Sequence, residues 1–178
     1  MSISRMLRSK YLRVAYLFGL LGAGLVLIYF FTFYALGANP VREMNRLDLL
    51  IILLCTLFAM GYFRDRHNGG VLHFWEGLAV GVPVVVLSAL LSSLVIYAFL
   101  KIEPEVFTGY LALMEKEIRA DYAAGRLKDA ARYQYYLKAL PGITPFGRAT
   151  DIFTRNFFIC FFATGILAII MRKHPRPV

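Results

Sequence analysis

Apolar residues in this chain come in four uninterrupted runs, not in the alternation or single-faced stripes of soluble elements. The first covers residues 14–36, 23 positions without a charge. As a helix rising about 1.5 Å per residue it reaches roughly 34 Å, enough to cross a bilayer. The second, 49–63, places 15 apolar or small residues between Asp48 and Arg64. At about 22 Å it needs snorkelling flanks or a thinned bilayer. The third, 78–100, again has 23 uncharged positions, and the fourth, 157–171, is short unless it starts near Ile152 and carries Arg155 at the interface. Runs that are apolar on every side predict helices surrounded by lipid and by one another. The expectation is an all-α integral membrane four-helix bundle, a single membrane domain over 1–178 with spans at about 14–36, 46–63, 78–100 and 153–171.

The stretch between spans three and four, an outer helical connection over 101–152, is too long for a bare loop. Phe107, Tyr110, Leu111, Met114, Ile118 and Tyr122 recur at helical spacing, with Glu115, Lys116, Arg119 and Asp121 on the opposite positions. Glu115 and Arg119 form an i, i+4 pair worth a few tenths of a kcal/mol. Gly125 interrupts the stripe; a second one, Tyr133, Tyr136, Leu137 and Leu140, ends at Pro141, Gly142 and Pro145. The pattern predicts an amphipathic helical hairpin that either lies on the lipid interface, with its tyrosines as anchors, or docks a partner outside the membrane.

Composition sharpens this picture. The chain is 59% hydrophobic and 17% charged, with a mean hydropathy of +0.61, which excludes a disordered tail, a collagen-like fibre and a free soluble enzyme. Cys55 and Cys160 both lie inside apolar runs, so no disulfide framework is expected. The basic prefix Arg5, Arg8, Lys10 and Arg13, with Ala35-Leu36-Gly37 downstream, imitates a secretory signal. Its apolar core exceeds the usual length of about 7–15 residues, which predicts an uncleaved first span.

Lysine and arginine set the orientation. The amino end, the second connection (64–77) and the tail (172–178) hold nine basic residues in 34; the first connection (37–48) and the third (101–156) hold eleven in 68. The denser side is expected to be cytoplasmic, placing both termini there. The net charge of +9 then reflects topology and contact with the anionic lipid bilayer. No stretch is long enough to build a basic nucleic-acid-binding module.

Candidate chemistry is sparse. His73 and Glu76 share a helix face at i, i+3, but no second ligand pair accompanies them or His67 and His174, so no metal site is expected. Glu76 enters the third span next to its apolar run, and ionisable residues there mark either a headgroup-level ion pair, with Arg64 or Arg66 as partner, or a proton or ion relay. Asp48 reads as a helix cap or first-turn residue. Gly77 and Gly81 form a GxxxG pair that admits a close helix neighbour, and Pro83 follows where a kink can form. Gly19, Gly22 and Gly24 make a second smooth patch. No GxSxG, HExxH or phosphate-loop pattern occurs, so no catalytic residue and no cofactor is assigned.

Tyr62-Phe63-Arg64-Asp65, Gly69-Gly70, Phe74-Trp75-Glu76-Gly77 with Gly81, then Ile96-Tyr97 and Pro104 together resemble the domain-of-unknown-function 4199 family. The resemblance implies a small bacterial membrane protein with about four spans and supplies no activity or catalytic residue. The functional expectation is a non-enzymatic inner-membrane protein, a structural or accessory subunit that assembles with itself or with a membrane-protein partner. The alternative is a small transporter or channel using Glu76, with Asp48 and Pro83 in support.

Overall fold

Long apolar runs satisfy their backbone polar groups within the helix itself, the one solution open to single segments in lipid. In the computed structural model, which describes residues 3–44, 47–127 and 129–172 with side chains from residue 10 onward, the described residues are helical apart from turns and short links. The elements are α1 (Ile3–Ala35), α2 (Pro40–Glu43), α3 (Leu47–His67), α4 (Phe74–Ile102), α5 (Pro104–Ala123), α6 (Ala130–Ala139), a 3-10 turn (Leu140–Gly142) and α7 (Pro145–Ile170). Four segments, Lys10–Ala35, Leu47–His67, Phe74–Ile102 and Pro145–Ile170, are long and apolar enough to cross a membrane. The protein is an all-α membrane helical bundle. Arg46, His174 and the tail's other basic residues beyond Arg172 lie outside the described residues, as do the side chains of Arg5 and Arg8.

The central element is α4, which packs on α1, α3 and α7. The four long helices alternate in direction. One end, here the hairpin end, joins Phe30 and Tyr34 of α1 to Phe99 of α4 at ring separations of 5.4 and 5.0 Å. The other, the terminal end, stacks Tyr11 of α1 on Phe63 of α3 at 4.6 Å. Two apolar clusters fill the interior, one towards each end. The first is built on Phe30, Met44, Ile52, Ile96, Leu100 and Ile152, the second on Ala59, Met60, Phe63, Leu72, Val80 and Val84.

The predicted hairpin forms. It breaks after Ala123, with Gly125 at φ +68°, a value that glycine tolerates without a Cβ clash. Tyr122 and Tyr133 stack across the break at 4.2 Å, and Arg119 donates to Glu115 at 2.6 and 2.9 Å as the spacing predicts. The long helices reach beyond the predicted spans, α1 starting at Ile3 against 14 and α4 at Phe74 against 78. The last long helix begins at Pro145, before the predicted span start at 153, because Thr144 Oγ1 accepts the Gly147 N–H at 3.0 Å and Pro145 occupies the first helical position. Arg148, Asp151 and Arg155 hide these two turns from a search for uncharged runs. The first connection, to which the sequence reading assigned no element, contains α2, started by Asn39 Oδ1 accepting from the N–H groups of Val41 and Arg42.

Candidate functional site

Two polar clusters sit at opposite ends of the apolar bundle. At the terminal end, Gly69 and Gly70, at φ +60° and +82°, turn the chain from α3 into α4 and fold Asn68 back over the first turn of α4. Glu76 Oε2 then accepts from Asn68 Nδ2 at 2.8 Å and the His73 N–H at 2.9 Å, and lies 3.1 Å from His73 Nδ1. Its Oε1 accepts from the Tyr11 hydroxyl at 3.4 Å. Asn68 Nδ2 also donates to the Val71 carbonyl at 2.9 Å. Among the described residues neither Arg64 nor Arg66 pairs with Glu76: Arg64 donates instead to the neighbouring Asp65 at 2.7 and 3.2 Å.

Glu76 is thus the N3 residue of α4 reaching back to the N-cap N–H, the acidic half of a capping box. The His73 and Glu76 pairing, considered above as a fragment of a metal site, is this cap. Glu76→Ala is expected to cost about 1–2 kcal/mol as a lost cap, and Glu76→Gln less, since it keeps one acceptor oxygen. Thermal unfolding of the purified variants in detergent measures both. Larger effects of Glu76→Gln than of Glu76→Ala would assign the carboxylate a role beyond capping.

Gly77 and Gly81 sit at close helix contacts. A Cβ on Gly77 would lie 3.0 Å from that of Ala168 on α7, and one on Gly81 only 2.6 Å from Met60 Cε and Thr164 Cγ2. The GxxxG pair therefore brings α4 against both α3 and α7. Pro83 lies within α4, which continues unbroken to Ile102. In the second smooth patch, Gly19 and Gly22 face Leu87 and Ser88 of α4, and the Ser88 hydroxyl donates to the Gly19 carbonyl at 3.0 Å. Gly24 faces open space.

At the hairpin end lies a cluster the sequence reading did not assemble. Asp48, in the first turn of α3, is 0% exposed. Its Oδ2 accepts from Arg155 Nη2 in a short ion pair and from Asn156 Nδ2 at 2.9 Å. Arg155 also donates to Asn156 Oδ1 at 3.1 and 3.0 Å, so the three side chains tie α3 to α7. Two turns earlier on the same stripe of α7, Arg148 donates to Asp151 at 2.5 Å and to the Val41 carbonyl at 3.5 Å, and lies 5.0 Å from the centre of the Tyr110 ring. Burial raises the Tyr110 phenol above its ordinary pKa, and the Arg148 charge offsets part of that rise. Asn39 Nδ2 donates to the Val106 carbonyl at 2.8 Å, and Arg42 pairs with Glu117. The available signal was the spacing of Arg148, Ile152 and Arg155, one helical stripe in which charges at membrane depth demand partners.

A family model described as a protein of unknown function (DUF4199) matches residues 17–173. The chain belongs to that family. The match spans Asp48, Glu76 and Arg155, so both polar clusters fall inside the DUF4199 region, while Tyr11 precedes it. No curated protein and no solved structure matches the chain. With its four apolar helices, this DUF4199 protein is a multi-pass membrane protein whose family carries no assigned activity.

Proposed function

We propose that the protein is a non-enzymatic structural or accessory subunit of the membrane, one unit over its whole length, that assembles with itself or with a larger membrane complex through the α5–α6 hairpin. The observation that carries this reading is the division of labour within the hairpin. Its root is fixed: Phe107 and Tyr110 are buried, and Asn39, Arg42 and Arg148 hold α5 from neighbouring elements. Beyond the root, α6 has no buried residue, and Tyr135 is 69% exposed. A well-anchored arm carrying exposed aromatics is a surface suited to a partner, and buried aromatics dominate interfaces energetically.

The interior gives less support to the transporter alternative. Thr56, Ser92, Ser93 and Thr164 each return their hydroxyl to a carbonyl of their own helix. Asp48 and Glu76 lie at opposite ends, with the two apolar clusters between them. Polar groups spent in this way do not line a hydrated route. The higher density of basic residues at the terminal end supports cytoplasmic termini in a bacterial inner membrane.

Gentle extraction of the tagged protein, followed by sizing and mass spectrometry, tests the assembly. A stoichiometric partner or defined homo-oligomer is expected. The double change Tyr135→Ser/Tyr136→Ser should weaken it by at least tenfold if each aromatic anchor contributes about 1–2 kcal/mol. A monomer with no companion, or an assembly indifferent to both changes, rules the reading out; the second result fits a hairpin resting on lipid.

A further inference from the structure

At the terminal end, the start of α4 and the end of α7 border an open surface cavity of about 460 Å³ lined by His73, Phe74, Trp75, Ile169 and Arg172. We propose that this cavity is a binding site for one anionic phospholipid, its phosphodiester held by Arg172 and the edge of Trp75 and its acyl chain lying along Ile169 and Phe74. The chemistry is split in the way such a ligand requires. Arg172 stands at the mouth just past the last turn of α7, exposed, and forms no ion pair among the described residues. Trp75 is 76% exposed just ahead of the apolar run that begins at Leu78, the level at which indole rings settle between headgroups and acyl chains. Ile169, 64% exposed, continues the wall towards the hydrocarbon.

Charge argues for an anionic headgroup over a zwitterionic one. The terminal end carries nine basic and two acidic residues. Its carboxylate nearest the cavity, Glu76, is taken up by Asn68, His73 and Tyr11. A guanidinium at the membrane surface favours an acidic lipid by about 1 kcal/mol, roughly fivefold in local occupancy. The proposal concerns a defined site, as distinct from the diffuse attraction that any basic membrane face exerts, and it does not depend on the hairpin's role.

Trp75 is the chain's single tryptophan, so emission excited at the red edge of indole absorption, where the eleven tyrosines do not absorb, reports on this cavity. The full-length protein is placed in phosphatidylcholine vesicles containing the same minor fraction of either brominated phosphatidylglycerol or brominated phosphatidylcholine. The glycerol lipid is expected to quench Trp75 more strongly, consistent with about fivefold local enrichment. Arg172→Gln should remove the difference while leaving quenching by phosphatidylcholine intact, and Arg66→Gln, an exposed charge at the same end, should preserve it. Soluble glycerol phosphate should have no effect. Equal quenching by the two lipids overturns the proposal, as does an equal loss in both arginine variants, which marks diffuse attraction. Competition by glycerol phosphate overturns it in favour of a small-anion site.

Discussion

Asp48→Asn is expected to destabilise the bundle by about 3 kcal/mol, because it removes the carboxylate charge paired with a largely buried guanidinium. Asp48 has no contact with solvent, and its carboxylate answers Arg155, Asn156 and the Leu49 N–H together. Removing one member of a fully buried pair costs about 3–5 kcal/mol; the Arg155 side chain keeps 22% of its surface exposed and can lean outward, which favours the lower end of that range. Asparagine preserves shape and one acceptor, so the loss reports the charge and not a cavity.

A rescue separates this reading from general damage to the end of α3. Replacing Asp48 and Arg155 alone by apolar residues would leave Asn156, itself 0% exposed, with its amide unsatisfied. Asp48→Leu/Arg155→Met/Asn156→Leu removes the whole network, and apolar replacements of such networks are commonly neutral or stabilising. The triple variant is therefore expected to be more stable than Asp48→Asn, as measured by unfolding in mixed micelles of increasing denaturing-detergent fraction. An Asp48→Asn protein within about 0.5 kcal/mol of the parent, the range of ordinary surface changes, would mean that the pair is well solvated.

How far the chain could be read in advance follows from what its physics writes locally. The four spans were legible because lipid imposes a long uncharged run on each, and the hairpin because its stripe holds a helical period over sixteen residues of α5. Gly77 and Gly81 were legible as a close-packing face, though not the identity of the neighbours. What stayed hidden was pairing at long separation. Asp48 and Arg155 are 107 positions apart, and nothing near either residue names the other. Glu76 misled for a related reason: arginine was the partner favoured by charge, whereas the double-glycine turn delivered an asparagine amide and the N-cap N–H instead. The last helix began earlier than its apolar run because charges that look like loop were stabilised from across the bundle.

Gly81→Val is expected to destabilise the bundle by about 3 kcal/mol or more, at the upper end of overpacking costs. A Cβ there meets three side chains from two helices: Met60 Cε and Thr164 Cγ2 at 2.6 Å and Thr56 Cγ2 at 3.1 Å. Met60 can swing aside, being unbranched and flexible. The threonines cannot, since each is β-branched and has its hydroxyl bonded to its own helix, Thr56 to Ile52 at 2.8 Å and Thr164 to Cys160 at 2.6 Å. Relief thus requires α4 to move away from α3 and α7 together, which opens the cluster around Met60 and Val80. Gly24→Ala provides the contrast. Its Cβ meets nothing within 4 Å, and exchanging glycine for alanine inside a helix favours the folded state by up to about 1 kcal/mol. Unfolding midpoints of the two variants in the same detergent should therefore shift in opposite directions. A Gly81→Val protein as stable as its parent would show that α4 does not sit this close to both neighbours.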